Sequence, residues 1–376
     1  MTRRAILHIG TEKTGSTSIQ QFLARQRDWL NANGFHYPRA PGTPNHTRLF
    51  GYAVSSPALA FTVKTAEEHQ ALRTRLEADL AAEAEAHPDK VFLFSNEHCH
   101  SRVFAAEEVA RLHGLLGRFF DRVDVLLYLR RQDELAVSLY STLLKAGTSG
   151  RELLVRRPIP ALPGTAPEQD LYYDYDALIE RWAAAFGRDR MIVRRFPQDL
   201  VGGSIVDDLC HVAGLPAPEH RPERANESLL PEFQEYLRLI NPHLRVQQGS
   251  TRREIIRVLS ELGKGSGRLP ARAAAVDFFD RFCDSNEAVR RAFFPEDATL
   301  FEQDFSRYPQ AASPVTADID TVARITAEVL RRMALDLQHL RGTPVTAAPA
   351  RRARRPQPGR MRSRKHQGGA KTPAED

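Results

Sequence analysis

The sequence predicts an α/β fold with a central parallel sheet covered by helices on both faces, followed by helical additions and a basic tail. Three observations carry that prediction. Short apolar runs alternate along the chain with segments of helical period. The runs are continuous rather than alternating apolar and polar, as strands buried on both faces are. Apolar residues make up 42% of 376 positions, enough for a sizeable core. Strand candidates are residues 5–9, 91–94, 123–129 and 191–193. Between them lie helical patterns at 16–30, with Ile19, Phe22, Leu23 and Leu30 on one face, and at 65–86, 106–120, 133–146 and 175–186. Strand, helix, strand in repetition implies right-handed crossovers. After about residue 225 the chain reads as mostly helical, with patterns at 231–240, 251–262 and 319–340. Residues 148–170, rich in Pro and Gly, read as a long loop, and loops of that length are often functional.

The formal charge of +6 suggests an anionic partner until its location is considered. Residues 341–376 carry +8 and the other 340 carry −2, so the basic excess belongs to the tail. Residues 343–376 lack hydrophobic periodicity and cannot bury enough apolar area to offset the entropy of ordering, so disorder is expected there, with at most weak contact to anionic surfaces. Cys99, Cys210 and Cys283 form neither a disulfide framework nor a paired metal motif. Residues 5–9 are too short for the core of an export signal, and no apolar run approaches bilayer length. A cytoplasmic protein is expected. Its domain spans residues 1–340, with a cofactor-binding core at about 5–240 and helical additions at 241–340.

The loop after the first strand candidate reads Gly10-Thr11-Glu12-Lys13-Thr14-Gly15-Ser16-Thr17 and opens the first helix. This is where α/β proteins bind phosphate, because successive backbone N–H groups line the loop and the helix N-terminus adds the positive end of its dipole. The two glycines stand five apart, as in the Walker A pattern. The lysine is moved inside the loop to Lys13, and Ser16 takes its usual place, which makes nucleoside triphosphate hydrolysis doubtful while preserving anion binding. A second signature follows strand 123–129: Arg130 at its C-terminal end and Ser138 eight residues on, two turns into the next helix, can converge on one phosphate. With the register shifted by one, Arg131 replaces Arg130.

Residues 8–18 resemble the 5′-phosphosulfate loop of the sulfotransferases that use 3′-phosphoadenosine 5′-phosphosulfate (PAPS), in their bacterial, P-loop-like form. Glu12 stands where that family commonly has Pro. The resemblance implies that the backbone of Thr14, Gly15, Ser16 and Thr17 cradles the phosphosulfate, with hydroxyl donors from Ser16 and Thr17. It implies that Lys13 neutralises charge on the bridging oxygen, in place of the metal used by kinases. Arg130 and Ser138 fit the family's 3′-phosphate pair, and the segment Arg224-Ala225-Asn226-Glu227-Ser228-Leu229 resembles a later one from which Arg224 reaches the same phosphate, unless it is a surface loop capped by Ser228. The resemblance covers about residues 5–240, and the fold it implies is three-layered around a parallel sheet. No metal is required.

Sulfuryl transfer to an alcohol needs a group to remove the hydroxyl proton. Strand 91–94 leads into Ser95-Asn96-Glu97-His98-Cys99-His100 at the sheet edge where ligands of open α/β folds bind. By resemblance Glu97 is the first candidate base, His98 the second and His100 the third. If the strand continues, alternation puts Glu97 and His98 on opposite faces.

The expected activity is transfer of a sulfuryl group from PAPS to a hydroxyl of a carbohydrate or glycolipid acceptor, the acceptor class following from similarity to bacterial polysaccharide and glycolipid sulfotransferases. The alternatives are a P-loop kinase or NTPase, and a binder of nucleic acid or anionic surfaces acting through its tail. Deleting residues 343–376 separates the last from the enzymes: affinity for adenosine 3′,5′-bisphosphate (PAP), measured calorimetrically, is expected to stay within twofold of the full chain. A tail-dependent binder loses its ligand instead.

Overall fold

The computed structural model describes residues 2–57, 60, 63–156, 171–218, 228–244, 249–313 and 317–342. The chain runs β1 (Arg4–His8), α1 (Ser16–Arg25), α2 (Arg27–Ala32), β2 (Phe35–His36), α3 (Thr47–Ala53), α4 (Ala66–Ala86), β3 (Val91–Ser95), α5 (His98–Arg102), α6 (Ala106–Gly117) and β4 (Arg122–Arg130). It continues through α7 (Gln132–Ala146), α8 (Tyr175–Phe186), β5 (Met191–Phe196), α9 (Ile205–Ala213), β6 (Ser228–Leu229), α10 (Pro231–Ile240), α11 (Gly249–Leu262), β7 (Lys264–Gly265), α12 (Arg272–Asp280), α13 (Cys283–Phe293) and α14 (Ile319–Gly342). Five strands form one sheet in the order β2-β3-β1-β4-β5, every pairing parallel, while β6 and β7 make a small antiparallel pair.

Period-2 alternation explains why the strand sequences are apolar throughout. Ala5, Leu7, Phe92, Phe94, Val125 and Leu127 pack on one face with Leu112 and Leu115 of α6 and Leu178 and Trp182 of α8. Ile6, Leu93, Leu126 and Tyr128 pack on the other with Ile19, Phe22 and Leu23 of α1 and Leu209 of α9. Each buried aliphatic side chain contributes about 1.5–3 kcal/mol, so every position of a doubly covered strand favours an apolar residue. The result is the three-layer α/β architecture expected.

The elements differ from expectation where charge or brevity hides them. The helix expected at 16–30 is two, because the backbone leaves helical angles at Gln26 and the Arg27 guanidinium turns inward to the carbonyl oxygens of Ala24 and Tyr37. Strand β5 continues past Val193 through Arg194 and Arg195, whose charges are carried by ion pairs to Asp208 and Asp199. Two-residue β2 and helices α3, α5, α9, α12 and α13 had no expectation attached. Of the loop expected at 148–170, residues 157–170 lie outside the described residues, as do Arg224 and the tail 343–376. Among the described residues no helix is long and apolar enough to cross a membrane.

Among the late helices, α10, α11 and α14 pack on one another around Phe233, Leu237, Val258, Leu259, Ile325 and Val329, whereas α12, α13 and the segment after them share the core of the sheet and α7. Phe278 and Phe282 pack with Leu135 and Leu139 of α7, and Phe279, Leu300 and Phe301 join the core beneath α8. A latch fixes this arrangement. Arg131, buried, forks onto both oxygens of Asp133 at 2.8 and 3.0 Å, donates to the carbonyl oxygens of Glu302 and Asp304, and lies 4.3 Å from the centre of the Phe305 ring. The Tyr308 hydroxyl donates to Asp133 at 2.5 Å. Removing one member strands the buried charge of the other. Asp133→Ala is expected to cost about 3–5 kcal/mol in urea-induced unfolding; a loss below about 1 kcal/mol would show that the latch is not structural.

Candidate functional site

β1 and β4 are neighbours at the centre of a parallel sheet, so their C-terminal ends emerge side by side. The loop after β1 is anchored to β4: the N–H and hydroxyl of Thr11 both donate to the Tyr128 carbonyl at 2.9 Å, and the Tyr128 N–H donates to the Gly10 carbonyl at 2.7 Å. Thr14, fully buried, turns its hydroxyl onto the Thr11 carbonyl at 2.7 Å, so this side chain braces the loop. Gly10 has φ +110°, and a Cβ there would meet the Glu97 Cα at 3.4 Å. Gly15, at φ +95°, caps α1 where a Cβ would press on Ile205 at 3.1 Å. Both positions need the freedom of glycine.

Among the described residues the N–H groups of residues 13–17 meet no acceptor, and the Ser16 Oγ is buried without a partner. Lys13 adopts φ +64°, and its ammonium has no hydrogen bond or ion pair among the described residues. Burial lowers its pKa, as do the charges of Lys145 and Arg130, against the raising influence of Glu12 and Glu97. Unclaimed donors around a half-buried cation form an anion cradle.

Arg130 joins the cradle directly. Its Nη1 donates to the Lys13 carbonyl at 2.9 Å, and its Nε and Nη2 reach Glu134 at 3.2 Å, leaving two of five N–H donors. Lys13, Gly15, Arg130 and Ser138 line one cavity of about 740 Å³, the size of a nucleotide site. Arg131 is not among the residues that line it and is held by its latch, whereas Arg130 lines the cavity. Glu134 is the only carboxylate lining the cavity among the described residues. Burial alone would raise its pKa, but the charges of Arg130, Arg307 and Arg131 outweigh burial and hold it below the usual range.

The base candidates separate clearly. Strand β3 stops at Ser95 and Glu97 stands at the N-cap of α5, so strand alternation does not govern Glu97 and His98. Glu97 accepts from Gln20 Nε2 at 2.5 Å and from Asn45 at 3.3 Å. His98 places Nδ1 3.4 Å from a Glu12 carboxylate oxygen. His100 has both nitrogens engaged: Nδ1 faces the Glu12 N–H at 3.4 Å and Nε2 the Tyr172 carbonyl at 2.9 Å. Its pKa is pushed down to about 4, chiefly by burial. In this arrangement both imidazole nitrogens are spent on backbone groups. Glu12 is its counterpart: burial would raise its pKa, but hydrogen bonds from His98, Tyr172 and Ser101 hold the carboxyl down at about 2.

Sequence reasoning missed the cavity's remaining basic groups. Lys145 shares the face of α7 that carries Ser138, a relation readable from the seven-residue spacing. Arg307, 2.8 Å from Glu134, comes from the segment after α13, and nothing in its local sequence marks it. No group of three or more His, Cys, Asp or Glu side chains is placed to hold a metal among the described residues.

No family model matches the chain, and no curated protein sequence does. Among solved structures it is similar to a sulfotransferase from Alicyclobacillus acidocaldarius, at 16% identity over 65% of this chain and 94% of that one, with a TM-score of 0.37. It is also similar to the sulfotransferase domain from the curacin biosynthetic pathway, at 9% identity over 58% and 76% of the two chains, with a TM-score of 0.32. Both superpositions are partial, and the chemistry of the site rests on its own residues.

The buried His100 sets a pH dependence of stability. Its folded pKa lies below the ordinary value of 6.5, so the unfolded chain binds the proton first and stability falls as pH drops from 6.5 toward about 4. Replacing His100 by Asn is expected to flatten the unfolding free energy in that window by about 1.4 kcal/mol per pH unit. An unchanged slope in urea titrations would contradict the assignment.

Proposed function

We propose that the protein transfers a sulfuryl group from PAPS to a hydroxyl of an acceptor, with a carbohydrate or glycolipid as the acceptor class. The observation that carries this reading is the cradle of residues 13–17, with its unclaimed N–H groups, orphaned Ser16 hydroxyl and unpaired Lys13, opening onto the cavity that holds Arg130 and Ser138. Two anion-binding clusters in one nucleotide-sized cavity suit a donor with phosphate at both ends. The acceptor class follows from the general resemblance of the sequence to bacterial polysaccharide and glycolipid sulfotransferases.

When bound, PAPS supplies an activated sulfuryl group whose leaving side is a phosphate oxygen. The N–H groups of residues 14–17 and the hydroxyls of Ser16 and Thr17 bind that phosphate, and the Lys13 ammonium stabilises the negative charge that develops on the bridging oxygen. The depressed Lys13 pKa comes from burial and from neighbouring cations, and an anion in the cradle reverses the second influence. Arg130, Ser138 and Arg224 bind the 3′-phosphate, Arg130 through its two remaining donors. Glu97 takes the acceptor proton as the new oxygen–sulfur bond forms. A carboxylate offers about four lone-pair directions, so Gln20 and Asn45 orient Glu97 and leave room for that proton. His98, held by Glu12, is the second candidate for the same role.

Two measurements test the reading. PAP with EDTA present is expected to raise the melting temperature, by the equivalent of about 2.7 kcal/mol at a hundredfold excess over its Kd, whereas ATP does so less with or without Mg²⁺. Magnesium-dependent ATP binding without PAP binding would point to a kinase or NTPase. Lys13→Ala is expected to lower sulfuryl transfer at least 10²-fold with an unchanged melting temperature, and Glu97→Gln by a similar factor. Near-normal turnover in Lys13→Ala would sink the mechanism.

A further inference from the structure

Ser138, Ser141, Thr142 and Lys145 are spaced i, i+3, i+4 and i+7 on α7, which puts them on one helix face, and all four line the cavity. Only the first has a place in the donor site described above. Ser141 is 4% exposed, and its Oγ is buried without a hydrogen-bond partner among the described residues. A buried hydroxyl in a native chain is normally paired, and one left unpaired in the wall of a cavity marks a missing partner.

Lys145 has no hydrogen bond or ion pair among the described residues either. The charges that act on it and that it acts on are positive: Lys264 on one side and Lys13 on the other. The cavity lining carries Lys13, Lys145, Arg130 and Arg307 against the single carboxylate of Glu134, and Glu134 is held by Arg130 and Arg307. Among the described residues nothing in the lining offsets Lys145. Seven residues of helix separate the backbones of Ser138 and Lys145 by about 10 Å along the axis.

We propose that Ser141 and Lys145 form a second oxyanion site in this cavity, which takes a sulfate, phosphate or carboxylate group carried by the acceptor. The proposal rests on the reading above, in which the loop of residues 13–17 and the pair Arg130–Ser138 hold the two anionic ends of the donor and leave Lys145 with no group to meet. The acceptor is then already anionic before it is sulfated. Lys145 draws it in by charge, and the Ser141 hydroxyl fixes its orientation by donating a hydrogen bond.

Calorimetric titration of the full chain with sodium sulfate, after saturation with PAP, tests this. Wild type is expected to bind sulfate, Lys145→Gln to bind it at least tenfold more weakly, Ser141→Ala several-fold more weakly, and Lys145→Arg to restore binding. The PAP affinity of Lys145→Gln is expected to stay within twofold of wild type. If Lys145→Gln instead loses PAP affinity tenfold and the loaded wild type takes no sulfate, the donor itself occupies Lys145 and the second site is overturned. If wild type does not bind PAP, the proposed function fails separately. The sulfate titration of the unliganded chain then decides: Lys145-dependent binding upholds the site, and equal binding by wild type and Lys145→Gln overturns it.

Discussion

The hydrogen bond from Arg130 to the Lys13 carbonyl is the constraint around which the site is organised. It joins the last residue of β4 to the loop after β1, and it is possible only because those strands are adjacent and parallel. Parallel pairing brings both C-terminal ends to one edge, so the glycine-rich loop and the start of α7 face each other without further design. The bond also sets a tension. Arg130 spends one donor on a backbone oxygen that belongs to the most cationic part of the loop, and this draws the guanidinium toward the Lys13 ammonium. Glu134 accepts from Arg130, and the charges of Glu12 and Glu97 act on Lys13. An anion in the cradle completes that balance.

The helical additions follow from the same constraint. Arg130 is useful only if Arg131, the next residue, is kept from competing for the site. The latch of Arg131 to Asp133, Glu302, Asp304 and Phe305 does this, and it draws the segment after α13 over the N-terminus of α7. That segment brings Arg307 to Glu134. Glu134 is thus shared between a site arginine and a late-chain arginine, and its depressed pKa keeps it a carboxylate across the physiological range. Residues with no local motif become part of the cavity wall because their neighbours fill a core beneath α7.

What the sequence disclosed divides along the same line. Four of the five strands of the sheet were legible because burial on both faces demands unbroken apolar runs, two-residue β2 being too short to show one, and the loop of residues 10–17 was legible because glycine is required where φ is positive and where Glu97 and Ile205 press close. Arg130 and Ser138 were legible as a spacing on one strand and one helix. The choice between Arg130 and Arg131 was not, since both stand at the strand end and only the aromatic ring and carbonyls supplied by residues 302–305 distinguish them. The same holds for His100, whose role is decided by the Tyr172 carbonyl, 72 positions away. Long-range partners assign such residues, and no local pattern reports them.

Glu12 shows how a departure from a familiar motif is absorbed. In the phosphosulfate loops that residues 8–18 resemble, a proline commonly stands at this position, and proline stiffens the backbone by fixing φ. Here the carboxylate is tied by the Tyr172 hydroxyl at 2.7 Å and by His98, and its own N–H faces His100. Side-chain bonds to two other segments replace the covalent ring. They hold the residue beside Lys13 in one place, and they add a negative charge that partly offsets the cations depressing the Lys13 pKa. The substitution therefore changes the source of rigidity from local to tertiary. It also ties the loop to α5 and to Tyr172.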